Sequence, residues 1–282
     1  MSEIATRARH RCFGGSLSFH THRSGETGTD MRFGVFTPPQ ADRGPVPALF
    51  YLAGLECNEE TFLIKAGAIR LAAELGLMLV APDTSPRGAA IPGEEDDWDL
   101  GTGAGFYVDA TAAPWNKAYR MYSYVSRELP ALIEANFPAL GDRRGIFGHS
   151  MGGHGALVVA LRQPERWQSV SAFAPISNPV AVPWGLKAFS SYLGPDSSPS
   201  LWAAYDASLL MAQRRHPGPI LVDQGLADKF LETQLLPETL EAAAKAGGQD
   251  LTLRRHEGYD HSYWFIQSFV ADHLRWHARA LA

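Results

Sequence analysis

Gly148-His149-Ser150-Met151-Gly152 is a G-x-S-x-G run, and its residue types suit nucleophilic acyl transfer. A serine hydroxyl attacks poorly until a neighbouring base takes its proton. Held in a sharp turn between a strand and a helix, the hydroxyl projects clear of the backbone. The helix N-terminus behind it then favours the negative charge that develops during reaction. The glycines answer a steric need, since so tight a turn leaves no room for side chains at close approach. Ser150 is the candidate nucleophile.

An elbow of this kind takes its partners in the chain order Ser, Asp or Glu, His, each from a loop after a later strand. Ten histidines compete for the role of base. His261 lies in Glu257-Gly258-Tyr259-Asp260-His261, after the last strand and directly before the last helix, and is the candidate. His256 falls in or at the end of that strand, and His273 and His277 ride on the terminal helix. His149 and His154 adjoin the elbow and are expected to pack or to line the site. A metal centre built from His256, Asp260 and His261 lacks familiar ligand spacing, so no metal is expected. Asp228, in Gly225-Leu226-Ala227-Asp228-Lys229-Phe230, sits past a strand end where it can reach an imidazole. It is the candidate acid, holding the ring in the correct tautomer. Asp223 falls inside the strand and reads as structural; Asp206 is a weaker competitor. Two backbone N–H groups should face the oxyanion: that of Met151, after the nucleophile, and that of Leu55, which Gly54 lets turn inward.

The elements that must position these residues are legible as alternating short apolar runs and longer amphipathic ones. Strands are expected at 31–37, 47–52, 77–81, 145–148, 169–174, 219–224 and 250–256. Helices are expected at 59–75, 115–137, after Ser150, at 232–246 and at 262–281. Strand and helix repeated this way predict a single α/β domain over 1–282, with a mostly parallel, doubly wound sheet flanked by helices: an α/β-hydrolase fold. Residues 83–114 show no periodicity, but their aromatic content argues for a packed loop and not for disorder. Residues 175–200 read as an excursion above the sheet. Trp98, Trp184 and Tyr259 are candidate walls of a substrate pocket, with His149 and Cys57 beside them.

The 282 residues carry a formal charge of -5, with 45% hydrophobic and 20% charged residues. There is no basic footprint for nucleic acid or for an anionic membrane surface. Arg7, Arg9 and Arg11 precede no apolar stretch, so the N-terminus does not read as a secretory signal. No run reaches the roughly 18–20 apolar residues that span a bilayer. The only cysteines are Cys12 and Cys57, which suits a reducing, cytosolic compartment.

Longer blocks go further than the elbow. Leu52-Ala53-Gly54-Leu55-Glu56-Cys57, Trp98-Asp99-Leu100-Gly101-Thr102-Gly103-Ala104-Gly105-Phe106-Tyr107, Gly148 through Ala156, Asp223-Gln224-Gly225 and Gly258-Tyr259-Asp260-His261-Ser262-Tyr263 resemble the S-formylglutathione hydrolase (esterase D) family, nearly end to end. The resemblance implies hydrolysis of the thioester S-formylglutathione to formate and glutathione, in formaldehyde disposal, without metal or cofactor. It implies a triad at Ser150, Asp228 and His261 and oxyanion donors at Leu55 and Met151. It also implies a cytoplasmic protein and a homodimer. Where that family commonly has Thr before the cysteine, this chain has Glu56. A broad short-chain carboxylesterase or an acyltransferase is the competing enzyme reading. A non-catalytic binding module would be expected to lack a triad member, and none is missing. Glutathione carries two carboxylates, for which Lys65, Lys117, Lys187 and Lys229 are all open. Modification of Cys57 is expected to lower activity by crowding the site.

Overall fold

The computed structural model describes residues 3–282. Nine strands form one sheet: β1 (Ile4–Cys12), β2 (Gly15–Arg23), β3 (Asp30–Thr37), β4 (Val46–Leu52), β5 (Met78–Pro82), β6 (Ala139–His149), β7 (Ser169–Phe173), β8 (Ile220–Gly225) and β9 (Leu251–His256). Their spatial order is β1-β2-β3-β5-β4-β6-β7-β8-β9. β1, β2, β3 and β5 pair antiparallel, and every pairing from β5 onward is parallel. The expected mostly parallel α/β architecture is the one observed.

The continuous apolar runs become the central strands because helices cover both faces. Every residue of β5, β7 and β8 is buried. The helix Met151–Arg162 packs with Ala207–Met211, while Tyr263–Leu281 packs with Ile69–Leu75 and against β6, β7 and β8. Residues 47–52 of the sequence reading reappear as β4, and the chain reverses its order across β4, with β5 on one side and β6 on the other. Ligand sites in such sheets sit beyond the carboxyl ends of the strands, near that switch point.

Several expected boundaries move. β1 and β2 were not anticipated. β1 alternates poorly and is largely exposed, and its Arg7, Arg9 and Arg11 line an outer edge, where charge discourages further strand pairing. The expected helix 59–75 is broken into Thr61–Lys65 and Ile69–Leu75. That at 115–137 opens on a 3-10 turn, Trp115–Lys117, and contains a π-turn, Tyr124–Glu128, before Leu129–Asn136. That at 232–246 begins as a π-turn, Leu231–Leu235, and becomes the helix Pro237–Gly247, because Pro237 can start a helix but not continue one. Residues 83–114 are an irregular but packed loop, with Phe106, Tyr107 and Val108 wholly buried. The excursion after β7 contains the helix Pro183–Tyr192, stacked on that loop through Tyr192, whose hydroxyl bridges the Gly101 N–H and the Ala104 carbonyl.

Candidate active site

β6 ends at His149, and Ser150 takes φ 57°, ψ −120°, a conformation that costs a non-glycine residue about 1–3 kcal/mol. The turn is held by its neighbours. Ser150 N–H donates to the Phe173 carbonyl of β7 (3.0 Å), and the Ser150 carbonyl accepts from His154 N–H (3.0 Å) and Ile176 N–H (3.3 Å). The flanking glycines provide clearance between backbones. A Cβ at 152 would lie 1.9 Å from the Leu52 carbonyl oxygen, and one at 148 would lie 2.2 Å from the Gly152 oxygen. The helix Met151–Arg162 starts at once, so the Met151 N–H belongs to its first turn, where backbone donors lack intrahelical acceptors.

β4 delivers the second wall. A Cβ on Gly54 would stand 3.2 Å from Ser150 Cβ, which shows how closely this loop approaches the serine. The loop is tied down on its far side. Ala53 O accepts from the Tyr107 hydroxyl (2.9 Å), Glu56 N–H donates to Gly103 O (3.0 Å), and Cys57 O accepts from Thr84 Oγ1 (2.6 Å). The Leu55 N–H has no hydrogen-bond partner among the described residues.

The candidate acid and base come from the loops after β8 and β9. His261 Nδ1–H donates to Asp228 Oδ2 at 2.5 Å, and Phe230 N–H donates to Asp228 Oδ1 at 2.9 Å. The Asp228 carboxylate is fully buried. Asp260 Oδ1 accepts from both the N–H (3.0 Å) and the hydroxyl (2.6 Å) of Ser262, fixing the turn that presents His261. The Ser262 hydroxyl in turn caps the last helix by accepting the Trp264 N–H.

Ser150 and His261 border one cavity of about 320 Å³. No hydrogen bond joins their side chains among the described residues, as is common before substrate draws the pair together. Leu55, the candidate oxyanion donor, and the candidate walls Cys57, Trp98, His149 and Trp184 also border it. Tyr259 does not. Its ring packs at 4.8 Å on Phe269 and at 6.0 Å on Phe265, turned toward the last helix, while its carbonyl accepts the Ala227 N–H. Of the four lysines left open for glutathione only Lys229 borders the cavity, and Phe230 and Tyr263 are wall residues that the sequence reading missed. Each lies within two positions of Asp228 or His261, so adjacency along the chain was the available signal.

His149 is buried, 4.4 Å ring to ring from His261. Burial, then the charge on His261, drives its pKa well below the usual histidine value, so it stays neutral beside the candidate base. The Cys57 thiol is pushed up by burial, against weaker pulls from hydrogen bonds with Thr61 and Tyr263, and so stays protonated at neutral pH. Among the described residues no group of three or more His, Cys, Asp or Glu is placed to hold a metal ion, and no helix is long and apolar enough to cross a membrane.

Residues 24–276 match the family model "Putative esterase". S-formylglutathione hydrolase of Rattus norvegicus is 53% identical over 99% of both chains. That of Mus musculus is 56% identical over 96% of both, and that of Paracoccus denitrificans 50% identical over 98% of both. The solved S-formylglutathione hydrolase of Agrobacterium tumefaciens superposes with a TM-score of 0.95 at 48% identity, covering 98% of this chain and 99% of that one. A ferulic acid esterase at 17% identity and TM-score 0.71 shares the fold. With its elbow, its loops and its whole length so matched, the chain belongs to the S-formylglutathione hydrolase family of esterases.

Proposed function

We propose that this enzyme hydrolyses S-formylglutathione to formate and glutathione through a formyl-serine intermediate. The observation that carries the reading is the Asp228–His261 pair, 2.5 Å apart, opening on the cavity that holds the Ser150 elbow. Ser150 Oγ attacks the formyl carbon as His261 Nε2 accepts the hydroxyl proton. Asp228, bonded to Nδ1, keeps Nε2 free to accept and stabilises the resulting imidazolium. The carbonyl oxygen becomes an oxyanion facing the N–H groups of Leu55 and Met151. Its collapse expels the glutathione thiolate, which takes the proton from His261. Water then adds to the formyl ester with His261 as base, releasing formate and restoring Ser150. No step calls for a metal or a redox group.

A thiolate is a good leaving group, so the weight of catalysis falls on the oxyanion and on the serine's activation. Support for the thioester comes from relatives carrying that name at 50–56% identity over nearly their full length. Kinetics on S-formylglutathione for the parent enzyme and Ser150→Ala, with acetate esters and alcohol acceptors alongside, test the reading. Turnover of the thioester that Ser150→Ala reduces by at least about 10⁴-fold is expected. A parent enzyme inert toward the thioester but active on acetate esters overturns it. A cytoplasmic location is part of the same reading, supported by two free cysteines. So is a homodimer, which light scattering of the purified protein tests.

A further inference from the structure

The cavity wall carries little charge. Of its lining residues only Lys229 is a lysine or arginine, and only Glu56 is a carboxylate. The remaining cations near this end of the sheet are engaged or stand off. Lys187 is held by Asp99 (2.5 Å) and Asp97 (3.1 Å), and Arg87 by Asp83 (2.6 Å). Lys65 lies over the Tyr263 ring, 5.9 Å from its centroid, and neither it nor Lys117 borders the cavity. Lys229 makes no ion pair among the described residues. Its ammonium rests 4.8 Å from the centroid of the Phe230 ring, and that ring in turn packs edge-on to His261.

The opposite sign gathers elsewhere. Glu56 and Trp98 border both this cavity and an adjoining hollow lined by Glu94, Glu95 and Asp97, where the one cation, Arg87, is already held by Asp83 and from which Lys229 is absent. The cavity therefore has a basic side, at Lys229, and an acidic side, at the ridge of Glu56 and Trp98. The main chain at Glu56 is fixed in a left-handed conformation, φ 63°, by its hydrogen bond to Gly103, so the carboxylate is carried on a rigid turn.

Glutathione is charged unevenly. Its glycyl end bears a lone carboxylate, while its γ-glutamyl end bears an ammonium and a carboxylate that cancel. We propose that the two sides of the cavity read this difference. Lys229 takes the glycyl carboxylate, and the γ-glutamyl end lies across the Glu56–Trp98 ridge with its ammonium toward Glu56. The inference rests on the thioester reading above and adds an orientation to it. The reverse orientation sets the lone carboxylate against Glu56 and the acids beyond it, and leaves Lys229 with a zwitterion of no net charge. Both side chains are exposed, so the contribution is modest and weakens with salt.

The test is a cycle between enzyme and substrate at low ionic strength. The kcat/KM values of the parent enzyme, Lys229→Gln and Glu56→Gln are measured on S-formylglutathione, on its glycyl methyl ester and on its N-acetyl derivative. Losing the Lys229 charge, or esterifying the glycyl carboxylate, is expected to lower kcat/KM about fivefold, mainly through KM. The two losses should not add, and Glu56→Gln and N-acetylation should likewise overlap. Additive losses, or a Lys229→Gln effect below about twofold, overturn the orientation while leaving the thioesterase reading intact. A parent enzyme without thioesterase activity overturns both.

Discussion

Replacing Asp228 by Asn changes one atom of a buried side chain and should nearly silence the enzyme. Both carboxylate oxygens are acceptors here, Oδ2 from His261 Nδ1–H and Oδ1 from Phe230 N–H. An amide offers one acceptor and one donor. If its oxygen stays with Phe230, its NH₂ group faces Nδ1, and the imidazole must carry its proton on Nε2, where it cannot accept one from Ser150. If the amide flips, its NH₂ faces the Phe230 N–H, and an unpaired buried donor costs about 1–3 kcal/mol. The first arrangement is favoured, so the working tautomer becomes a minor species and the imidazolium loses its counter-charge. A loss of about 10³–10⁴-fold in the acylation rate is expected, worth about 4–5.5 kcal/mol. The shape is conserved, so the melting temperature should move by no more than a few degrees. Stopped-flow acylation by a chromogenic ester, with the rate of Ser150 labelling by a fluorophosphonate, reads the effect directly. An Asp228→Asn enzyme that keeps more than a tenth of the parent acylation rate refutes the assignment of Asp228 as the orienting acid.

Gly54→Ala should fold normally but acylate about threefold to tenfold more slowly. Its Cβ meets Ser150 Cβ at 3.2 Å and must displace either the serine or the loop carrying Leu55 by a few tenths of an ångström. Parent-like acylation kinetics of that variant would show that the loop is not set against the serine. Stability should fall as the pH drops from 6.5 toward 4. Burial holds the pKa of His154 at about 4, and burial with the nearby Arg9 charge does the same for His20. In that window the unfolded chain binds protons that the folded chain does not, so His154 costs about 2 kcal/mol by pH 5, and His20 acts in the same direction. Thermal melts that superimpose at pH 7.5 and 5 rule this out. Cys57 should alkylate slowly at pH 7 because burial keeps its thiol protonated, and full alkylation should lower activity by filling the cavity. Undiminished turnover after stoichiometric modification would contradict the crowding account.

Legibility followed how locally each feature is determined. The elbow reads from five residues because its glycines are demanded by contacts a few residues away and by one neighbouring strand, β4. β5, β7 and β8 read as strands because burial on both faces forces an unbroken apolar run. β1 did not read, because an edge strand answers to solvent on most of its surface, and its residues show no clear alternation of buried and exposed positions. The break between Thr61–Lys65 and Ile69–Leu75 was equally hidden, since both halves keep helical spacing. Tyr259 is a candidate wall in the sequence, yet its ring does not border the cavity. Whether a ring at 259 turns to the cavity or to Phe269 depends on a helix that follows it, and chain adjacency carries no such direction.

Asp223 shows why the acid and the base meet at all. Its carboxylate is fully buried and takes paired hydrogen bonds from Arg254 of β9, both at 2.6 Å, and one from His273 of the last helix at 3.2 Å. Burial opposes ionisation, but the bonds from His273 and Arg254 outweigh it and hold the carboxyl below its usual range. The polar chain continues through Ser171 of β7 to His277 and on to Ser169, so β7, β8, β9 and the last helix are joined by directional contacts. Hydrophobic packing alone tolerates small slips between neighbours, whereas a buried, paired carboxylate does not, because a slip leaves a charge without partners. The loop bearing Asp228 leaves β8, and the loop bearing His261 joins β9 to that helix. The register locked at Asp223 is thus handed on to the two side chains that must stay within hydrogen-bonding distance of each other.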